Sequence, residues 1–208
     1  GLGSGPQAWN QMVALCQSDP SLSDIQLDRF SYPSGFFRMP FWGVMPKIQD
    51  IAKGLKTYLR THHPSRSRIV LVCHSLGGLV ARQLMVDLAK AGEDLGRYTL
   101  LLFACPNNGS VLAEMGGHFS VGFAHLGQLG RNAKGLRTLN EEWEALGIKD
   151  RIDLLFVAGG VDGVVNPDDA RAFCGEDRTE TIIGVNHNTI IRPAVREDTA
   201  YLILRRAA

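Results

Sequence analysis

The chain has 208 residues, of which 45% are hydrophobic, and this is enough to build one hydrophobic core. Its 22 lysine and arginine residues nearly balance 21 aspartate and glutamate residues, which leaves no large net field to attract nucleic acid. The longest strongly apolar stretch, residues 98–105, is far shorter than the roughly 20 residues of a membrane-spanning helix. We therefore expect a single domain over 1–208, with no nucleic-acid partner and no transmembrane segment.

Apolar periodicity along the chain predicts alternating helices and strands. Apolar residues at helical spacing predict helices over 5–17, 46–62, 76–90, 136–146 and 193–206. Apolar runs typical of buried strands occur over 69–73, 98–105, 152–158 and 181–185, and a short strand is predicted over 25–32. This alternation predicts an α/β protein with a mainly parallel sheet and helices on both faces.

The four cysteines and the remaining ligand-type residues indicate no metal site. Cys16, Cys73, Cys105 and Cys174 lie far apart, and no spacing typical of zinc ligands occurs. Two of the cysteines end strand-like runs, where a thiol acts as a small buried hydrophobe. We expect a reduced, cytoplasmic protein without cofactor or metal.

The stretch LVCHSLGGLV, residues 71–80, places a serine between a predicted strand and a predicted helix. This is the setting of a nucleophile elbow, in which a serine on a tight turn exposes its hydroxyl at the end of a sheet. The pattern predicts Ser75 as a nucleophile and the main-chain N–H of Leu76 as an oxyanion donor. It also predicts small residues at Cys73 and Gly77, where strand and helix crowd. The alternative is a serine that only caps the helix.

A serine nucleophile needs a base and a carboxylate that orients it, and both have candidates beyond strand ends. His187 follows the predicted strand 181–185, and Asp162 follows the predicted strand 152–158. Ligand sites form at the carboxyl ends of strands in open α/β sheets. Asp168 and Asp169 look like the start of a helix, where carboxylates favour the helix dipole. The sequence therefore predicts the triad Ser75, Asp162 and His187.

Four motifs in order carry a resemblance to the α/β-hydrolase superfamily, and in particular to its lipase-like serine esterases. They are HSLGG (74–78), CPNNGS (105–110), DGVVNP (162–167) and NHNTI (186–190). Within this superfamily, the sequence resembles the group that includes lipase-like proteins related to glycosylphosphatidylinositol-deacylating enzymes and to the mitochondrial serine-active-site-containing protein. The resemblance implies an α/β-hydrolase fold and esterase chemistry.

The N-terminal stretch GLGSGPQAW resembles the oxyanion loop of this family. The resemblance implies that Leu2 supplies a second oxyanion N–H beside that of Leu76. The strands that lead into this loop in the family do not precede it here. We therefore expect the first strands of the sheet to be missing, as in a piece of a longer protein.

About 40 residues, 111–151, separate the CPNNGS turn from the next strand, which is long for a simple connection. In lipase-like hydrolases an insertion at this point forms a lid over the nucleophile. The resemblance thus implies a lid whose apolar residues, including Phe119, Phe123 and Leu126, line an acyl pocket. Alternatively, these residues form the core beneath two extra helices.

Together these patterns predict a serine esterase that cleaves a carboxylic ester, with an acyl chain in its substrate, through an acyl-enzyme. The partner is a small-molecule or lipid ester, and transient contact with a membrane surface is compatible with it. Two alternatives remain open. The first is hydrolysis of another acyl bond, in a thioester, an amide or a protein-linked lipid. The second is a non-enzymatic binding or signalling module on a hydrolase scaffold. The sequence does not indicate an oligomeric state.

Overall fold

The computed structural model describes residues 6–32, 47–107 and 126–208. Four strands occur in these ranges: β1 (Ile69–His74), β2 (Tyr98–Phe103), β3 (Asp153–Gly159) and β4 (Thr179–Ile182). The helices are α1 (Asn10–Ser18), α2 (Ile48–His62), α3 (Leu76–Lys90), α4 (Leu126–Ala145), α5 (Pro167–Cys174) and α6 (Thr199–Ala207). The order of these elements follows the predicted alternation closely.

The four strands form one parallel sheet in the order β1-β2-β3-β4. In the register, His74 lies opposite Phe103, and Phe103 lies opposite Val157. β1 and β2 therefore end level with each other, and β3 and β4 end two residues further along. Because the sheet is parallel, the loops that follow the strands all begin at the carboxyl ends of the strands. The predicted site residues lie in or beside these loops.

Helices cover both faces of the sheet, as the apolar strands predict. Along β2, Leu100 and Leu102 pack into one core with α2, α3 and α4, whereas Leu101 and Phe103 pack into a second core with α1 and α6. Alternate side chains of one strand thus enter opposite cores, and both cores exclude water from the strand. The predicted α/β fold with a parallel sheet and helices on both faces is confirmed.

The predicted strand over 25–32 is wrong, because these residues form neither helix nor strand. Side chains hold this segment in place instead of a strand ladder. Tyr58 donates a hydrogen bond to Asp28 over 2.5 Å, and the ring of Phe30 lies 5.5 Å from that of Tyr58. Phe30 and Tyr32 pack against the core beside α2, whereas Ile25 packs against the second core and Leu27 is exposed, so the apolar residues of this segment do not share one sheet face.

Two predicted boundaries near the C-terminus also shift. β4 runs over Thr179–Ile182 and not over 181–185, and Gly184 follows it with a φ of +80°. The last helix begins at Thr199 and not at residue 193. The Asp198 carboxylate accepts hydrogen bonds from the N–H groups of Ala194 and Val195, which fixes the preceding residues as a loop.

The predicted lid lies only partly within the described residues. Residues 111–125 fall outside them, and α4 begins at Leu126. Trp143, near the end of α4, is fully buried in the core beside α3. Within 6–32, 47–107 and 126–208, no helix is both long enough and apolar enough to cross a membrane.

Candidate active site

Ser75 occupies a strained turn between β1 and α3. Its backbone has a φ of 52° and a ψ of −129°, a conformation that residues other than glycine seldom adopt. The Ser75 N–H donates to the Phe103 carbonyl over 3.0 Å, which extends the β1–β2 ladder by one residue. The strained turn between strand and helix is the one that the nucleophile-elbow pattern predicts, whereas Ser75 itself is fully buried and not exposed.

The small residue that this turn requires is Gly78, so the prediction that places the crowding at Gly77 is wrong. A Cβ atom added at Gly78 would lie 2.4 Å from the Cys105 Sγ atom, whereas one added at Gly77 would meet no described atom within 4 Å. The first turn of α3 thus packs against the chain just beyond β2, and the contact falls one residue later than predicted.

The structure brings Ser75, His187 and Asp162 together in one chain of hydrogen bonds. The His187 Nδ1 atom lies 3.1 Å from the Asp162 Oδ2 atom, and the His187 Nε2 atom lies 3.1 Å from the Ser75 Oγ atom. A carboxylate only accepts, so the ring proton is on Nδ1 and Nε2 accepts from the serine hydroxyl. This tautomer leaves the base nitrogen facing the hydroxyl.

Asp162 is held as a charged group although its side chain is fully buried. Burial by itself raises the pKa of this carboxyl, but hydrogen bonds from His187 and from the N–H groups of Val165 and Val164 outweigh burial and lower the pKa. The two N–H groups donate to Oδ1 over 2.8 and 3.0 Å, so Oδ2 is left for His187. The loop thereby fixes both the charge and the orientation of the carboxylate.

The loops that carry Asp162 and His187 are joined by their main chains. The Gly160 N–H donates to the Ile182 carbonyl over 2.8 Å, and the Val161 N–H donates to the Val185 carbonyl over 3.2 Å. A Cβ atom at Gly159 would lie 2.6 Å from the Val185 carbonyl oxygen. Glycine at 159 is therefore what allows the two loops to approach each other so closely.

The other predicted site residues fall into three groups. Leu76 is the first residue of α3, where main-chain N–H groups have no partner within the helix and can serve an oxyanion. Leu2, Phe119 and Phe123 lie outside the described residues, and of Leu126 the structure describes only its place in α4. Asp168 lies in the first turn of α5, as predicted, and it is Asp162 that contacts His187.

His74 is a residue at this site that the sequence interpretation missed. It is the last residue of β1, directly before Ser75. It is buried, and its Nε2–H donates to the main-chain carbonyl of His187 over 2.7 Å. A polar ring at the end of an otherwise apolar strand was the available signal, because a buried polar group requires a partner. The sequence does not indicate that this partner lies 113 residues further along the chain.

A second buried polar residue, Arg82 of α3, joins three elements beside the site. Its guanidinium donates to the side-chain oxygens of Asn107, just after β2, and of Asn140 in α4, over 3.0 and 2.7 Å. It also lies over the Phe173 ring, 3.8 Å from the centroid. Burial lowers the pKa of Arg82 to about 10, so the group stays charged at neutral pH.

Comparisons with known proteins agree with this fold. The sequence model of the family described as PGAP1-like alpha/beta domain matches residues 44–189, well over half of the chain. A crystal structure of a candidate lipase from Acinetobacter baumannii AYE is similar over 99% of this chain and 82% of that protein, with a TM-score of 0.52 and 13% identity. The thioesterase RedJ from Streptomyces coelicolor is similar over 77% of this chain and 68% of its own, with a TM-score of 0.42 and 15% identity. No curated protein sequence gives a significant match.

Proposed function

Because this chain belongs to the PGAP1-like alpha/beta domain family and has an α/β-hydrolase fold, we propose that it is a serine hydrolase that cleaves a carboxylic ester. The observation that carries the proposal is the hydrogen-bond chain from Asp162 through His187 to a serine on a strained turn. A helix-capping serine, the alternative interpretation, requires neither a base on its hydroxyl nor a buried carboxylate behind that base.

In the proposed reaction, the Ser75 oxygen attacks the ester carbonyl while His187 takes the hydroxyl proton at Nε2. The imidazolium that forms lies against the charged carboxylate of Asp162, which stabilises it. The tetrahedral intermediate collapses, the C–O bond to the alcohol breaks, and the proton on His187 passes to the leaving alkoxide. A water molecule, activated by the same nitrogen, then hydrolyses the acyl-enzyme and restores the serine.

The negative charge of the tetrahedral intermediate develops on the former carbonyl oxygen, beside the start of α3. The main-chain N–H of Leu76 belongs to the first residue of α3, where the helix dipole is positive. This position supports its proposed role as an oxyanion donor. Leu2 is proposed as the second donor because of its place in the oxyanion-loop motif. Each such donor contributes a factor of about 10²–10³ to the rate.

The proposed substrate is a small-molecule or lipid ester with an acyl chain. The similar A. baumannii protein is named as a candidate lipase, and residues 111–125, which follow the CPNNGS motif in the sequence, include apolar residues such as Phe119 and Phe123. Together with Leu126 they are proposed to line the acyl chain as part of a lid. The thiols of Cys16, Cys73 and Cys105 form no disulfide within the part of the chain that the structure describes, which supports the proposed cytoplasmic location.

Labelling with a fluorophosphonate probe tests the proposal directly, because the probe reacts only with an activated serine. We expect the wild-type protein and a Ser67→Ala control, which removes an exposed serine ahead of β1, to take up one probe per chain. The Ser75→Ala variant should take up none and should lose hydrolysis of p-nitrophenyl esters. Peptide mapping should place the probe on Ser75. A wild-type protein that neither reacts nor hydrolyses would favour the scaffold alternative.

The acyl bond is tested with matched substrates that share one acyl chain. An oxygen ester, a thioester and an amide of octanoate differ only in the leaving group, so the ratio of their kcat/KM values reports bond preference. We expect the oxygen ester to be preferred, and kcat/KM to rise from acetate to octanoate because each buried methylene contributes about 0.8 kcal/mol. A flat series of chain lengths, unchanged by Phe119→Ala or Phe123→Ala, would contradict the acyl pocket.

A further inference from the structure

The side chain of His74 is placed to act on the base and not on the substrate. Its Nε2 atom lies 2.7 Å from the main-chain carbonyl oxygen of His187, and the two rings lie 4.9 Å apart between centroids. A carbonyl oxygen only accepts hydrogen bonds, so the ring proton of His74 must be on Nε2. The ring is 3% exposed, which keeps water from competing for this bond.

The hydrogen bond to His187 is the one that the His74 side chain forms in the described part of the chain, because its other ring nitrogen has no partner there. Nδ1 is buried, and no group in the described part of the chain forms a hydrogen bond with it. Leaving a buried acceptor without a partner costs free energy. A leucine at this position would avoid that cost and would suit the apolar strand that precedes it. The histidine therefore needs an explanation other than packing.

His74 is also electrically neutral where a charge would disturb the reaction. Burial, and then the nearby His187, lower the pKa of His74 to about 3, although Asp162 opposes this effect. A neutral donor can hold the main chain of the base without repelling the imidazolium that forms during the reaction. An arginine or lysine in its place would add a positive charge beside that imidazolium.

We propose that His74 is a positioning residue, which fixes the main chain of His187 so that its Nε2 atom stays in contact with Ser75. This inference rests on the proposed serine-hydrolase function. His74 and Ser75 are adjacent, so one turn carries both the nucleophile and the anchor of its base. The histidine loop has a second anchor on its other side, in the hydrogen bond from Val161 to Val185. Removing His74 would remove the hydrogen bond that joins the main chain of His187 to the end of β1, while the bonds to Asp162 and Val161 would remain.

Three variants separate the hydrogen bond from the bulk of the ring. His74→Gln keeps an N–H donor at nearly the same reach, His74→Asn carries the same amide on a shorter side chain, and His74→Leu keeps bulk without a donor. The matched control is His62→Leu at the end of α2. It also removes a contact between a histidine ring and a main-chain carbonyl, that of Tyr58 at 3.0 Å.

Kinetics are measured per active site, which is counted by titration with the fluorophosphonate probe, so misfolded protein does not enter the result. We expect His74→Leu and His74→Asn to lower kcat by about 10- to 100-fold, because a small misplacement of the base is costly. KM should change less than about twofold, because the ring does not touch substrate. His74→Gln should keep most of the activity, and His62→Leu should match the wild type.

The inference is overturned if kcat per active site is unchanged in both His74→Leu and His74→Asn, or if His74→Gln is impaired as much as they are. Should the leucine variant fail to fold, the comparison of glutamine with asparagine decides. Nitrogen NMR of the His74 ring tests the contact without any activity, and a proton found on Nδ1 would also contradict it. Failure of the proposed function is distinguishable, because the wild-type protein itself would then take up no probe.

Discussion

Two histidine–carboxylate pairs lie in different parts of the molecule, and they differ in burial and in the hydroxyl group beside them. His187 contacts Asp162 over 3.1 Å beyond the ends of β3 and β4, and His63 contacts Asp28 over 3.0 Å at the end of α2. The distances are nearly equal. The burial differs, since the Asp162 side chain is fully buried and that of Asp28 is 39% exposed.

The position of the neighbouring hydroxyl separates the two pairs further. Ser75 contacts the second nitrogen of His187, whereas Tyr58 donates to the carboxylate of Asp28. The bond from Tyr58 is the largest cause of the lowered pKa of Asp28. In one case the histidine lies between acid and hydroxyl, and in the other the acid lies between two donors. A histidine–aspartate contact is therefore not by itself a sign of catalysis, and the order of the three groups is the better criterion.

Replacing the histidine of each pair should give the largest difference in kcat between the two pairs. His187→Ala should lower kcat by about 10⁴-fold or more, because the serine loses its base. His63→Ala removes a similar pair, and we expect it to leave kcat within about twofold of the wild type, because nothing reacts there. Steady-state hydrolysis of a p-nitrophenyl ester measures both. Equal losses would show that the second pair also serves the reaction.

Neutralising each carboxylate tests the pairs with smaller changes. Asp162→Asn should lower kcat by about 10³- to 10⁴-fold, because the amide no longer holds the His187 tautomer or stabilises the imidazolium. Asp28→Asn should have almost no effect on kcat. The amount of probe bound to Ser75 should still reach one per chain in both variants, only more slowly for Asp162→Asn. Full activity in Asp162→Asn would contradict its role as the acid.

Two adjacent glycines, Gly77 and Gly78, give a matched test of the packing around the turn that carries Ser75. Gly78→Ala should lower the free energy of unfolding by about 1–3 kcal/mol, because the new methyl group overlaps Cys105. Gly77→Ala should be neutral or stabilising by up to about 1 kcal/mol, since alanine is the better helix former. Urea unfolding of both variants measures the difference. If only Gly77→Ala lowered the free energy of unfolding, the crowded position would be Gly77, as the elbow motif predicts.

Acid should destabilise the folded chain partly through His74. Its pKa is about 3 in the folded state and near 6.5 when unfolded, so between these values only the unfolded chain binds the proton. Stability is thus lost as pH falls from 6.5 towards 3, by up to about 1.4 kcal/mol per pH unit for one such group. His74→Gln should remove that part of the slope in urea unfolding at pH 7 and pH 5. An unchanged slope would show that His74 does not contribute.

The fold was predictable because its signals are local. The apolar runs that become β2 and β3 are largely buried, and the run that becomes β1 is half-buried, as expected for strands covered by helices. The segment 25–32 was misread because its apolar residues are buried without forming a strand: Phe30 and Tyr32 pack beside α2, and Ile25 packs against the other core. The same periodicity serves both arrangements, and only the tertiary structure distinguishes them.

The site was predictable where the residues next to a site residue in the sequence indicate its place in the fold. Ser75 lies on a glycine-rich turn after a strand, and Asp162 and His187 follow strand ends, so their meeting could be expected from a parallel sheet. Their catalytic roles stay predictions until the variants are measured. His74 was missed because its partner is a main-chain atom, which leaves no mark in the sequence, and the crowding at Gly78 depends on the path of Cys105.

The joined loops after β3 and β4 have a practical consequence for redesign. Because the acid and base loops share main-chain hydrogen bonds, changes to Gly159 or Gly160 would disturb both together. Val161 and Ile183 lie in the same loops, yet their side chains are 61% and 90% exposed. Libraries that vary these two positions would change exposed side chains of both loops while leaving their main-chain hydrogen bonds intact. They are the natural starting points for directed evolution of substrate preference.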